Sequence, residues 1–318
     1  MRLATHVRTL GCGQGRARSL TKAEAADAMA HMLDDDADPH AVGALLMLLR
    51  MKGEVAEEIS GFVEAIQGSF SQLPPVDLDW PSYSSGRTRG LPWFLLSARL
   101  VAEAGYRVCM HGWNGADMTV RDGLKSAGIK CARTFHDTDL ALRSNGIVYL
   151  PLELLSPRLK QLLDLRSVLG LRSCLNTVAR MLNPAQARAS VQGVFHPSYR
   201  NLQSDAAALL GWTSLTVIKG GGGEFERHPG KALQAVGLRE GQAWEERFNQ
   251  QVDITARLAE GVQPQSSLAT IWNGITRDPF AEATILGTAS LALDTLGVSN
   301  SAAYAAELWA KRDRAFAV

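Results

Sequence analysis

Three short runs, Tyr106–Met110, Gly146–Leu150 and Leu215–Ile218, are separated by stretches whose apolar residues recur at helical spacing. No other feature constrains the fold as much. Runs of four or five residues this rich in Val, Ile and Tyr read as strands. Parallel strands need crossovers of a dozen or more residues, usually a helix. The interleaving therefore predicts an α/β fold with a mostly parallel sheet flanked by helices. Helices are expected near 93–104 and 118–127, the second followed by a weak strand. The last sixty residues read as helix, loop and alanine-rich helices.

The N-terminal region has no strand signal. Thr21-Lys22-Ala23-Glu24 has the form of a capping box, with Ala25, Ala28, Met29, Met32 and Leu33 at helical spacing behind it. Asp38-Pro39 opens a second helix and Gly53 stops it. A third covers about 55–66, and the module ends near Pro74-Pro75. Leu159–Asn183 is again helical and amphipathic. The acidic run at 34–38 reads as a solvated cap between helices.

Composition narrows the function classes. An uninterrupted apolar run of about 18 residues is missing, so no transmembrane helix is expected. Met1–His6 lacks a secretory h-region. Cys12, Cys109, Cys131 and Cys174 form no CxxC pair, which argues against zinc and against a disulfide framework. A cytoplasmic location is the expectation. The net charge of +1 hides segregation: residues 156–200 carry seven Lys/Arg against Asp164 alone, while 23–79 carry two bases and twelve acids. Residues 80–130 carry seven bases against three acids, and two such basic blocks meeting in space would attract anions.

Leu169–Ala185 resembles the LGxRTxFNxLGPLxNPA signature of anthranilate phosphoribosyltransferases, with Arg172, Asn176, Asn183 and Pro184 in register. Val108–Asn114 resembles that family's KHGN turn, and Val217-Ile218-Lys219-Gly220 its VxHG turn. The string Asp79–Phe94 resembles a divergent branch of the family. The resemblance runs from Thr21 to the C-terminus. It implies a small helical domain over 1–75, joined by about 157–190, on an α/β domain made of 76–156 and 191–318. It also implies a homodimer through the helical domain.

The resemblance breaks at the donor site. Where the family has GTGGDG and NIST, this chain has Tyr83–Gly90 and Trp93–Leu96. Met110 stands for the family lysine, and Arg180 for a proline. The family's adjacent Asp-Glu pair, which binds magnesium pyrophosphate, corresponds to a stretch holding Glu224 and Glu226, weak candidates for a metal. Arginines enter as these residues leave. Guanidinium forks suit phosphate oxygens, so the expected role is a non-catalytic relative binding nucleic acid in its former substrate groove. Phosphate contacts are assigned to Arg87, Arg89, Arg166, Arg172, Arg180 and Lys219, with Asn114 and His111 beside them. Lys219 and Arg227 are expected to flank a glycine turn facing the groove. No cofactor is then needed. The alternative is a glycosyl or phosphoribosyl transferase with a changed acceptor, a rebuilt pyrophosphate site and magnesium. A third reading is a scaffold whose acidic 23–79 module binds a protein.

Overall fold

The computed structural model describes residues 3–13, 15–70, 72–83, 90–115, 117–253 and 267–314. Four helices come first: α1 (Leu3–Gly11), α2 (Lys22–Leu33), α3 (Pro39–Lys52) and α4 (Ala56–Gln67). The starts of α2 and α3 follow the sequence signals, while α1 was not expected. Thr21 and Glu24 form the reciprocal capping box, and Asp38 caps α3 by accepting from His40 and Ala41 amides. Arg18 pairs with Glu24 at 2.6 Å, and this bond, with the Thr21 amide, holds the Glu24 carboxyl down at about 2. A depressed carboxyl stabilises above its unfolded value and ceases to as pH falls through its folded one. Acid unfolding should therefore show Glu24→Gln less stable than the parent above pH 4.5, with the difference fading as pH falls from 4.5 to 2. The effect will be small because the pair is partly exposed.

The sheet is built by β1 (Leu78–Ser82), α5 (Phe94–Glu103), β2 (Val108–Gly112), α6 (Thr119–Ser126), β3 (Lys130–Cys131), α7 (Phe135–Asn145) and β4 (Ile147–Pro151). Next come α8 (Leu152–Leu155), α9 (Pro157–Asp164), α10 (Arg166–Leu169) and α11 (Leu175–Arg180), which return to the helical module. β5 (Ala189–Val194), α12 (Tyr199–Leu209), β6 (Ser214–Lys219), β7 (Leu233–Arg239), β8 (Gln242–Phe248), α13 (Leu268–Trp272), α14 (Pro279–Thr295) and α15 (Ser301–Lys311) complete the fold. Strand order is β3-β4-β2-β1-β5-β6-β7-β8, parallel except for the β6–β7 and β7–β8 pairs. This is the expected α/β architecture, extended by an antiparallel edge.

Side chains alternate across the strands. Trp80, Met110 and Tyr149 enter one core with α5, α14 and α15, while Cys109, Val148 and Leu150 enter the other with the helical module. The second core joins sheet and helices continuously. Arg158 donates to Met32 O and Gln67 to Leu182 O, tying the returning segment to α2 and α4. The helix expected over 159–183 is three pieces, because Gly170 is left-handed and ends α10. No helix among the described residues is long and apolar enough to cross a membrane.

Candidate functional site

From β1 the chain steps to β2 on one side, and from β4 it crosses back to place β5 on the other side of β1. Ligands of open α/β sheets bind outside the carboxyl ends of strands at such a switch point. A cleft of about 290 Å³ lies there. One wall is helical, with Arg50 from the end of α3, Arg166 from α10, Arg172 and Ser173 before α11, and Asn176 and Thr177 within it. The other wall is the end of β5 and the start of α12, with Phe195, His196 and Tyr199. Among the described residues no Asp or Glu lines the cleft, which is bordered by four arginines, Arg50, Arg166, Arg172 and Arg180, and so is positive. Its size suits a small molecule.

Beneath the cleft runs a buried polar network. His111 is wholly enclosed: its Nδ1 lies 2.9 Å from the Tyr83 hydroxyl and its Nε2 lies 3.1 Å from Asp79 Oδ1. The latter contact has ion-pair distance but lies off the line of a hydrogen bond. A carboxylate facing Nε2 favours a proton there, which leaves Nδ1 to accept from Tyr83. Ser190 donates to Asp79 Oδ2 at 2.7 Å, and Gln192 reaches both Ser190 and Arg180 O. Burial raises the Tyr83 hydroxyl well above its ordinary range, so it stays a phenol.

The acidic turn after β6 is divided. Glu226 accepts from the Phe94 amide at 2.9 Å and so caps the first turn of α5. Glu224 is also buried, with Asn114 Nδ2 3.5 Å from its Oε1. Met110 is buried in the core and presents no charge. The acidic run at 34–38 joins no group of three metal-binding side chains among the described residues.

Of the residues singled out in the sequence, Arg166, Arg172 and Arg180 meet at the cleft. Arg180 is buried and donates to Tyr83 O and Asn176 O. Asn114 and His111 lie behind it, both buried. Lys219 is exposed at the end of β6. Arg227 turns away: it donates to Asn249 O and lies over the Phe248 ring. Arg87 and Arg89 lie outside the described residues. Sequence reasoning missed Arg50 and Tyr199, whose only local signal was a helix end and a helix start. It also missed Asp79, Ser190 and Gln192, polar residues inside strands.

Residues 11–69 match the helical bundle domain of the glycosyl transferase family, and residues 94–257 match its a/b domain. An anthranilate phosphoribosyltransferase of Anaeromyxobacter sp. (strain Fw109-5) is 31% identical over 213 residues, 64% of this chain and 62% of that protein. The chain thus spans less than two thirds of that relative's length. One from Geobacillus thermodenitrificans (strain NG80-2) is 26% identical over 235 residues, 72% of this chain and 68% of that protein. Among solved structures, anthranilate phosphoribosyltransferase from Thermus thermophilus superposes with a TM-score of 0.80 at 20% identity, covering 97% of this chain and 94% of that one. The Saccharomyces cerevisiae enzyme, in complex with PRPP and Mg, does so with a TM-score of 0.76 at 16% identity, covering 96% and 92%.

These findings overturn the expectation of a non-catalytic nucleic-acid-binding protein. The relatives are named as enzymes of phosphoribosyl transfer, and none of these names points to DNA or RNA. The physical reason lies in the geometry. With Arg180 and His111 turned inward and Arg227 turned away, the guanidiniums line a small pocket rather than a track for a polymer.

Proposed function

The chain belongs to the glycosyl transferase family whose helical bundle and a/b domains it matches, and on that premise we propose that it is a glycosyl or phosphoribosyl transferase with a changed acceptor and a rebuilt pyrophosphate site. The observation that carries this reading is the cleft at the switch point, lined by Arg50, Arg166 and Arg172 and, among the described residues, by no carboxylate. In such a transfer the bond from the sugar's anomeric carbon to the diphosphate oxygen breaks, and its electron pair leaves with the diphosphate. A bond then forms from the acceptor's nucleophile, which gives up a proton. Fixed cations stabilise charge developing on the anionic partners without reorganising. Asn176, Ser173 and Tyr199 supply neutral hydrogen-bonding groups in the same cleft.

A solved neighbour holds PRPP with Mg. Magnesium takes one or two carboxylates together with substrate phosphates. Here Glu224, buried behind the cleft with the Asn114 amide beside it, would have to turn toward the cleft to serve as the oxygen ligand, because Glu226 caps α5. When bound, the ion neutralises diphosphate charge. Glu224→Gln should weaken the magnesium response of donor binding about tenfold. Glu226→Ala should leave that response intact and cost about 2 kcal/mol of stability, the cost of a buried amide losing its partner. Paired titrations with and without magnesium, beside denaturant melts, check both.

The reaction is tested by pyrophosphate release from phosphoribosyl pyrophosphate and magnesium across a panel of amine- and hydroxyl-bearing acids. Release is expected with at least one anionic acceptor other than anthranilate, falling at least a hundredfold in an Arg166→Ala/Arg172→Ala double variant. Release with no acceptor, or release indifferent to those arginines, would count against the proposal. The homodimer implied by the family resemblance is proposed on that ground alone, and sedimentation equilibrium reads it.

A further inference from the structure

Arg180 ends the helix that supplies Asn176 and Thr177 to the cleft, yet its own head turns into the protein. Only 8% of the residue is exposed. Nη1 donates to Asn176 O at 2.9 Å, one turn back on α11, and Nη2 donates to Tyr83 O at 2.6 Å, at the carboxyl end of β1. One guanidinium therefore joins the helical wall of the cleft to the sheet. Space has been made for it: Gly223 is left-handed, and a Cβ there would lie 3.3 Å from Nη2.

The link continues from Tyr83. Its hydroxyl meets His111, whose far nitrogen faces Asp79; Ser190 donates to Asp79; and Gln192 contacts Ser190 and donates to the carbonyl of Arg180 itself. The path closes on its starting residue after passing through α11, β1, β2 and β5. Burying a guanidinium is costly unless its donors are spent and a negative charge lies near. Here two carbonyls accept from Nη1 and Nη2 while Nε is left without a partner; burial lowers the Arg180 pKa, and the charge of Glu224 opposes that shift.

We propose that Arg180 is a positioning residue: through this closed circuit it holds the arginine-bearing wall at a set distance from the strand ends, so that the cleft is formed before any ligand arrives. Members of a buried network strengthen one another. Breaking any link should therefore loosen the whole junction rather than one strand. A preformed site also avoids ordering its groups at the moment of binding. The circuit itself stands on the geometry, while its value to the cleft rests on the transferase reading.

Hydrogen exchange and calorimetry test it together, on the full chain and on the Arg180→Met, Arg180→Lys and Tyr83→Phe variants. Two amides report the junction: Trp113, bonded to Ser82 O, and Gly220, bonded to Val194 O. In Arg180→Met both should exchange at least tenfold faster, while amides pairing β7 with β8 keep their rates. Inorganic pyrophosphate should bind that variant at least tenfold more weakly, and Arg180→Lys, which can reach one carbonyl, should recover part of the loss. Tyr83→Phe added to Arg180→Met should change exchange by less than the sum of the two, since the circuit is already open. Junction rates within twofold of the parent in Arg180→Met, or strictly additive effects, would overturn the proposal. If Arg180→Met does not fold, the Arg180→Lys and Tyr83→Phe rates decide. If the parent chain binds no pyrophosphate, the transferase reading loses its support while the exchange rates still judge the circuit.

Discussion

Gly193→Ala is expected to destabilise the protein by about 4 kcal/mol or more, a loss reserved for collisions that cannot relax. Gly193 sits on β5 where the acidic turn crosses it. A Cβ there would lie 2.0 Å from the carbonyl carbon of Glu224, 2.2 Å from its oxygen and 2.4 Å from the Phe225 amide nitrogen. All three atoms are main chain, so no rotamer change gives room. Either β5 bends away from β1 or the turn lifts, and a lifted turn takes Glu226 from the Phe94 amide and Glu224 from Asn114. Denaturant unfolding should show the midpoint falling steeply in Gly193→Ala. A cost below about 1 kcal/mol would mean that the turn does not pack against β5 as described.

Glu58→Ala should cost about 3–5 kcal/mol, the range for breaking one side of a buried ion pair. Glu58 is fully buried at the start of α4. Its carboxylate accepts from the Leu20 amide at 2.9 Å, from the Val55 amide at 3.1 Å, and from Lys52 Nζ at 2.9 Å. Alanine leaves two amides without acceptors and a largely covered ammonium without its counter-charge. Glu58→Gln keeps one oxygen for an amide and should cost less than Glu58→Ala. These contacts pin the end of α3 two residues beyond Arg50, so both variants should also weaken anion binding in the cleft. A denaturation series on the two variants gives the order: alanine worse than glutamine, glutamine worse than the parent. Equal costs would show that the charge contributes nothing.

The helical module was legible because its signals are local. A capping box, an Asp-Pro start and a glycine stop each act within a few residues, and α2 begins and α3 begins and ends where those signals stand. β2, β4 and β6 were legible for the same reason, as short runs rich in β-branched and aromatic residues. β1 and β5 were not: Leu78–Ser82 contains Asp and Pro, and Ala189–Val194 contains Ser, Gln and Gly. Asp79, Ser190 and Gln192 among those interruptions belong to the buried network, so part of what hid the strands from a pattern reading also joins the sheet to the cleft. β8 was missed because an antiparallel edge strand facing solvent carries little apolar signal, with no fully buried residue; β7 was missed although most of its residues are buried.

At the candidate site the sequence showed which residues were charged but not where they pointed. Arg166 and Arg172 reach the cleft, whereas Arg180, three residues past Thr177 on the same helix, turns Nη1 and Nη2 to main-chain carbonyls. Counting arginines therefore suggested a polyanion track. Three guanidiniums around a small pocket, with a fourth serving as internal structure, suit a small anion instead. That difference lies in side-chain direction, which residue spacing alone does not carry.

The central claim is that this cleft grips the anionic substrate of a transferase. Isothermal titration of the parent chain and Arg172→Ala with phosphoribosyl pyrophosphate, with and without magnesium, tests it most directly. Micromolar, magnesium-dependent binding to the parent is expected, weakened about ten- to a hundredfold in the variant, the effect of losing a hydrogen bond to a charged group. Millimolar or absent binding to the parent, or equal affinity in the two proteins, would contradict it.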